Sequence, residues 1–227
     1  MNDYHDINDD INHPTKSLNR PLASGQVSKQ YALLLLALLY AILFAGYFFK
    51  PQVILVISAY LLLNIAYTFY FKHQPVLDIF IIASGFVLRV YAGATALTVP
   101  LSSWMFITTL CLALYLAAIK RRQELITNGN SSRKVLEHYT VPLINRYAEM
   151  SATGALLFYS LFVITSRPEL VVTIPFVIYG IFRYWFVVES NKDGESPTDI
   201  LISDWQLSLT IFIWISICIW TLWPLGA

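Results

Sequence analysis

Seven long apolar segments constrain the fold of this chain more than any other feature of its sequence. They run over residues 31–49, 53–71, 76–97, 101–119, 150–166, 169–189 and 207–224. Each is long enough to cross, or nearly cross, a hydrocarbon layer about 30 Å thick as an α-helix. With 57% apolar and 13% charged residues, the chain also has too little polar surface for a soluble globule. The sequence therefore predicts an all-α, polytopic transmembrane helical bundle of about seven spans.

Basic residues predict which membrane face each connection lies on. Nearly all of those between the spans fall on the side of the amino terminus, namely Lys16, Arg20, Lys29, Lys72, Lys120, Arg121, Arg122, Arg133, Lys134, Arg146 and Lys192. Lys50 and Arg167 fall on the opposite side. Because cytoplasmic loops are enriched in Lys and Arg, the first face is predicted to be cytoplasmic, in a bacterial-type inner (plasma) membrane.

The remaining composition narrows the possible functions. Cys111 and Cys218 lie inside apolar spans, where a thiol usually behaves as a small hydrophobe, so no disulfide or zinc site is predicted. The amino terminus lacks a basic region followed by an apolar core, so it is not predicted to be a signal peptide. The formal net charge is only +1, and no nucleic-acid partner is predicted.

A cluster of acidic residues precedes the first span. On a helix with about 100° per residue, Asp3, Asp6 and Asp10 fall within roughly 60° of one another. Like charges this close repel one another unless a cation lies between them. Hard oxygen ligands favour Mg²⁺, which typically completes its coordination with water and phosphate oxygens. The segment therefore predicts a magnesium site that binds a diphosphate.

The densest basic cluster, at residues 120–124, follows the fourth span. Lys120 and Glu124 lie four residues apart and would share one helix face. Taken alone, the cluster fits a stop signal that touches anionic lipid headgroups as well as it fits a phosphate site. Its predicted position facing the acidic segment favours the phosphate site.

Charged residues inside the spans are functional candidates by default. Arg89 lies deep in the third span, and its alternative role is a structural pair with Asp78 or with another helix. Arg183 lies in the sixth span. Asp199 and Asp204 follow that span, and both helix capping and substrate contact remain open for them.

The chain is predicted to be a single transmembrane domain over residues 1–227, with three functional cytoplasmic segments. These are the acidic segment 1–30, the basic loop 120–149 and the loop 190–206. Within the basic loop, residues 139–150 are predicted to form a lid or a surface helix. At the end of the second span, Tyr67, Tyr70 and Phe71 are predicted to be interfacial anchors rather than ligand contacts.

Several of these motifs resemble the UbiA superfamily of intramembrane prenyltransferases. The pattern Asn-Asp-x-x-Asp-x-x-x-Asp, at Asn2, Asp3, Asp6 and Asp10, is similar to the first aspartate motif of that family. The continuation His13-Pro14-x-Lys16, Arg20-Pro21 and Ser24-Gly25, with segments 89–94, 120–125 and 195–204, is more similar to its decaprenyl-phosphate phosphoribosyltransferase branch. The resemblance also implies that two helices that precede this motif in the family are missing before Met1.

The resemblance implies a Mg²⁺-dependent transferase with a cytoplasmic-facing active site. Phosphoribosyl diphosphate would bind through Mg²⁺ to the catalytic and metal-ligating residues Asp3, Asp6 and Asp10. The acceptor would be a polyprenyl (decaprenyl-like) phosphate, and diphosphate would be released. The implied substrate-binding residues are Asn2, Lys16, Arg20, Arg89, Lys120, Arg121, Arg122, Glu124 and Arg183.

One departure from the usual family pattern favours this branch. Most members have a second Asp-x-x-x-Asp where this chain has Lys120-x-x-x-Glu124. A Lys and Arg cluster suits a phosphate monoester, since guanidinium groups present paired donors to phosphate oxygens. Two alternatives stay open: a UbiA-type enzyme that transfers a prenyl group from a diphosphate to an aromatic or other acceptor, and a non-catalytic membrane protein.

Overall fold

The computed structural model describes residues 4, 7, 11, 16–128, 134–190 and 201–223. These ranges contain helices and turns, and no strand is present in them. A short helix at Lys16–Asn19 precedes the long helices. The long helices of the described ranges are α1 (Lys29–Tyr47), α2 (Pro51–Phe69), α3 (Leu77–Ala96), α4 (Ser103–Asn128), α5 (Val141–Ser166), α6 (Ile174–Ser190) and α7 (Trp205–Leu222).

Seven candidate membrane spans lie within the described residues, each long and apolar enough to cross a bilayer. This confirms the predicted polytopic helical fold. The sixth span begins with the 3-10 segment Pro168–Thr173, which leads directly into α6. Long apolar helices are the expected outcome, because a bilayer offers no water to satisfy backbone groups outside a helix.

Helices extend from both sides into the segment 120–149, which is predicted to be the basic loop. Helix α4 continues to Asn128 and α5 begins at Val141, so most of this segment is helical. The basic residues do not end α4, because Arg121 and Arg122 are buried among polar partners rather than solvated. Helix α5 begins early because the Thr140 side chain caps it, accepting a hydrogen bond from the Leu143 N–H at 3.4 Å.

The chain divides into two compact units, residues 1–62 and 63–227. In the first unit, a short turn connects α1 to the beginning of α2. The Lys50 N–H closes this turn by donating to the Gly46 carbonyl at 3.0 Å. A Cβ atom at Gly46 would lie 3.0 Å from Ile54 Cδ1, so a larger residue here would require the Ile54 side chain to shift.

The second unit contains the last turns of α2 and helices α3 to α7. Its main core lies between α4, α5 and α6, where Tyr115, Ile144 and Tyr184 are buried. A smaller cluster around Tyr159 and Val163 joins α5 to the 3-10 segment. The larger core lies next to the ends of the helices that carry the buried charges, so it supports the polar residues described below.

Candidate active site

Charged side chains, most of them buried, gather at one end of the second unit, where α3 and α5 begin and α4 and α6 end. We call this the charged end and define it by Asp78, Arg121, Arg122 and Glu189. Asp78 is 1% exposed and lies in the first turn of α3, whereas Arg121 is 1% exposed and lies near the end of α4. Charged side chains are almost never fully buried unless they are paired, so their partners define the site.

Arg121 is held by three side chains through its three guanidinium nitrogens. Its Nε lies 2.8 Å from Asp78 Oδ2, and its Nη1 forms an ion pair with Glu124 on the next turn of α4. Its Nη2 donates a hydrogen bond to the Tyr67 hydroxyl at 3.1 Å. The guanidinium therefore joins the end of α2, the start of α3 and the end of α4.

Tyr139 extends this network to the segment before α5. Its hydroxyl donates a hydrogen bond to Asp78 Oδ1 at 2.7 Å and accepts one from the Val76 N–H at 2.7 Å. Burial raises the pKa of the Tyr139 phenol, and the hydrogen bond to Asp78 raises it further, so the hydroxyl stays protonated and remains a donor. Val76 has a φ of 68°, a left-handed conformation that a β-branched residue rarely adopts.

Arg122 forms a second set of contacts, which joins α4 to α5 and α6. Its Nε donates to Asn145 Oδ1 at 2.8 Å, and its Nη2 pairs with Glu189 Oε1 at 2.6 Å. The Arg122 side chain is 8% exposed and that of Glu189 is 46% exposed. This pair therefore lies at the border between the buried network and the surface.

Arg183 pairs with Asp204 between α6 and the start of α7. Its Nε and Nη2 donate to Asp204 Oδ1 and Oδ2 at 3.1 Å and 2.7 Å. Asp204 also caps α7 by accepting a hydrogen bond from the Leu207 N–H at 2.8 Å. The hydrogen bond from Arg183 holds the pKa of Asp204 below its ordinary value. Helix capping and substrate contact were both open for Asp204, and the structure shows that it caps a helix. Asp199 lies outside the described residues.

The predicted metal ligands cannot be placed among these contacts. Asn2, Asp3, Asp6 and Asp10 lie outside the described residues, as does the side chain of Lys16. Within the described ranges, no group of three or more His, Cys, Asp or Glu side chains could hold a metal ion. The magnesium site therefore stays a prediction from the sequence.

Three further predicted residues are placed by the structure. Lys120 is exposed on α4, one helical turn before Glu124. Arg89 is exposed in the middle of α3, and its guanidinium carbon lies 5.2 Å from the centre of the Phe86 ring. Arg20 is half-buried, and its carbonyl accepts a hydrogen bond from the Ser24 N–H at 2.8 Å in the first unit. Their predicted substrate contacts stay predictions.

Several members of the network are not among the site residues predicted from the sequence. Tyr67 was predicted to be an interfacial anchor, yet its hydroxyl contacts Arg121. Tyr139 and Asn145 were predicted to lie in a cytoplasmic loop. One signal was available for Asp78 and Arg121: opposite charges stand at the neighbouring ends of two consecutive antiparallel spans, where they can meet.

The fold and this polar cluster define a polytopic helical membrane protein with buried ion pairs at one end. A model of the UbiA prenyltransferase family matches residues 1–200. The chain belongs to the UbiA prenyltransferase family, and it is an integral membrane transferase.

Three relatives show which members of the family the chain is similar to. The decaprenyl-phosphate phosphoribosyltransferase of Mycobacterium tuberculosis (strain H37Rv) is 34% identical over 225 residues, which are 95% of this chain and 74% of the relative. The protein of that name from Mycolicibacterium smegmatis is 34% identical and covers 95% and 72%. The one from Corynebacterium glutamicum is 31% identical and covers 95% and 68%.

Proposed function

We propose that this protein transfers the 5-phosphoribosyl group from phosphoribosyl diphosphate to a polyprenyl phosphate in the membrane. The observation that carries the proposal is the basic segment of α4, where Lys120 is exposed beside the buried Arg121 and Arg122. Three relatives that cover nearly the whole chain carry a name that describes this chemistry. The reaction takes place at the charged end, on the cytoplasmic face predicted from the basic residues.

The transfer needs no change in oxidation state and no strong base. The bond between the anomeric carbon and the diphosphate oxygen breaks, and its electron pair leaves with the diphosphate. A new bond forms between that carbon and an oxygen of the lipid phosphate. Because the acceptor oxygen is already anionic near neutral pH, positioning contributes most of the catalytic effect.

The acidic segment is proposed to hold Mg²⁺ through Asp3, Asp6 and Asp10, whose hard oxygen donors suit that ion. When bound, the ion stabilises the negative charge that develops on the leaving diphosphate. Lys16 and Arg20 are proposed to bind phosphate groups of the donor. Arg89 and Arg183 remain proposed substrate contacts, although Arg183 already pairs with Asp204.

Among the basic residues of α4, Lys120 is the proposed contact to the acceptor phosphate. Arg122 pairs with Glu189, Arg121 pairs with Asp78 and Glu124, and both arginines are buried. Lys120 is exposed and carries a compact charge that suits a phosphate.

The experiment supplies membranes that contain the protein with radiolabelled phosphoribosyl diphosphate, a polyprenyl phosphate and Mg²⁺. Label is expected in the lipid phase, and its incorporation is expected to fall to background with Asp6→Asn and by about 100-fold with Lys120→Ala. Lys50→Ala serves as the matched control. It removes a cation from the turn between α1 and α2, which is predicted to lie on the opposite membrane face, and it is expected to retain activity.

The same membranes test the alternative that the family description favours, a prenyl transfer. A labelled prenyl diphosphate is supplied with an aromatic acceptor in place of the phosphoribosyl donor. Consumption of the prenyl diphosphate, with no label transferred from phosphoribosyl diphosphate, would replace the proposed function with this one. Absence of both reactions in correctly folded protein would favour the non-catalytic alternative.

A further inference from the structure

We propose that Tyr139 and Asp78 are positioning residues, which act through Arg121 to orient Lys120 toward the acceptor phosphate. The inference rests on the proposed function. It assigns roles to two residues that the substrate and metal sites do not include, and it makes Arg121 a positioning residue rather than a direct phosphate ligand.

The Arg121 guanidinium already contacts protein side chains through all three of its nitrogens. Its three nitrogens contact Asp78, Glu124 and Tyr67, and the residue is 1% exposed. An arginine binds phosphate through paired donors on one edge of its fork. Arg121 could present such an edge only by leaving a buried carboxylate without its partner, which is strongly unfavourable.

Tyr139 links segments that are far apart in the sequence. Its hydroxyl contacts the Val76 N–H and the Asp78 carboxylate at the start of α3, and the Asp78 carboxylate in turn contacts Arg121 on α4. Tyr139 directly follows the 3-10 segment Lys134–His138. One hydroxyl therefore joins the segment before α5 to the start of α3, and through Asp78 to α4, by serving as both donor and acceptor, which phenylalanine cannot do.

The backbone at Val76 adopts an unusual positive φ angle. A non-glycine residue with a φ of 68° persists only where the surrounding structure holds it. The bond from its N–H to Tyr139 supplies one such restraint at the entrance to α3. The start of α3 thus holds Asp78 in place, and Asp78 is the part of the network that fixes Arg121.

These contacts determine the direction in which Lys120 points. Lys120 and Glu124 flank Arg121 on the last turns of α4, and a helix that cannot rotate at Arg121 cannot rotate at its neighbours. Small displacements of a positioning group can cost about 100-fold in rate. Loss of the Tyr139 hydroxyl is therefore expected to weaken use of the acceptor without removing any group that touches it.

The test compares Tyr139→Phe with Tyr159→Phe. Tyr159 provides a matched control, because it is 6% exposed against 5% for Tyr139 and also makes two hydrogen bonds, to Thr173 and from Trp214. Both proteins are purified as folded species, and kcat and KM are measured for each substrate. Tyr139→Phe is expected to raise KM for polyprenyl phosphate about tenfold and to leave KM for phosphoribosyl diphosphate within about twofold. Tyr159→Phe is expected to change the unfolding temperature only.

A second test measures coupling between Arg121 and Lys120 and carries the inference if Tyr139→Phe does not fold. The variants are Arg121→Lys, Lys120→Ala and the pair together. If Arg121 acts through Lys120, Lys120→Ala causes much less additional loss of kcat/KM in the Arg121→Lys protein than in the wild type. Losses that simply multiply would overturn the inference.

The outcomes separate the two proposals. If the wild-type protein transfers no label from phosphoribosyl diphosphate, the proposed function is wrong and the positioning role is wrong with it. If the wild type is active but Tyr139→Phe and Tyr159→Phe have the same KM for polyprenyl phosphate, only the positioning role is overturned.

Discussion

The two ends of the second unit stabilise themselves with different kinds of polar contact. At the charged end, Arg121 and Asp78 form an ion pair in which both side chains are 1% exposed. At the opposite end, Arg167 and Glu169 lie 3.6 Å apart and are 57% and 40% exposed. The described polar groups that are buried nearer that end are neutral, with the Tyr159 hydroxyl 2.6 Å from Thr173 Oγ1.

This contrast indicates that packing alone does not require buried charge in this bundle. Neutral hydroxyl and indole groups join α5, α7 and the segment Pro168–Thr173 without the desolvation cost of an ion. A buried ion pair is often no more stable than apolar residues of the same volume. Stability alone therefore does not account for the buried ions of the charged end, which fits the positioning role proposed above for Asp78.

The largest expected effect comes from removing Asp78. Asp78→Ala leaves Arg121 buried without one of its two carboxylates, and we expect a loss of about 3–5 kcal/mol in the free energy of unfolding. The measurement is thermal unfolding in detergent, followed by intrinsic fluorescence. Glu169→Ala removes a carboxylate from the exposed pair at the opposite end and is expected to cost less than about 1 kcal/mol. Equal losses for the two variants would remove the distinction between the ends.

A smaller effect is expected where α4 and α5 pack between the two ends. A Cβ atom at Gly154 would lie 3.0 Å from Cys111 Sγ, so Gly154→Ala is expected to cost about 1–3 kcal/mol through overpacking. At Gly180 the nearest atom would be Thr210 Cγ2 at 3.9 Å, which is ordinary contact. Gly180→Ala is therefore expected to be neutral or slightly stabilising in thermal unfolding. If Gly154→Ala stabilised the protein, α4 and α5 would be loosely packed at this position.

The smallest expected effect concerns pH and the pair between Arg183 and Asp204. Because Arg183 lowers the pKa of Asp204 in the folded protein, the pair stabilises fully above the unfolded pKa, ordinarily 3.8. This stability is lost as the pH falls through the lower folded pKa. Asp204→Asn keeps the cap on α7 but loses the charge.

The measurement for this pair is the unfolding temperature of wild type and Asp204→Asn from neutral to acidic pH. The difference between them is expected to shrink as the pH falls below 3.8. Glu169→Gln, at the opposite end, is expected to differ little from wild type at any pH because its pair is exposed. A difference for Asp204→Asn that stays constant with pH would exclude the carboxylate as its source.

The sequence predicts the helices well because each apolar run must form a continuous helix in lipid. It fails at the end of α4, where Arg121 and Arg122 look like residues of a solvated loop. Their burial depends on partners far away in the chain: Asp78 is 43 residues before Arg121 and Glu189 is 67 residues after Arg122. Such pairing arises from the packing of helices, and the residues next to Arg121 and Arg122 in the sequence do not indicate it.

The candidate site shows the same division. The distribution of basic residues predicts functional groups at this end of the helices, and local chain chemistry offers helix capping as one of two open roles for Asp204, the one that the structure shows. Tyr139 could not be predicted, because a tyrosine after a polar loop resembles an interfacial anchor as much as a buried hydrogen-bond donor. Its role depends on the position of Asp78 in space.

The proposed phosphoribosyl transfer takes place at the charged end of the bundle. Its most direct test is the rate of label transfer from phosphoribosyl diphosphate to polyprenyl phosphate by purified wild type, Lys120→Ala and Arg167→Ala. Each variant removes one exposed cation, from the charged end and the opposite end respectively. If transfer takes place at the charged end, we expect a loss of about 100-fold in kcat/KM for Lys120→Ala and wild-type activity for Arg167→Ala. Wild-type activity in Lys120→Ala, or equal losses in both variants, would contradict it.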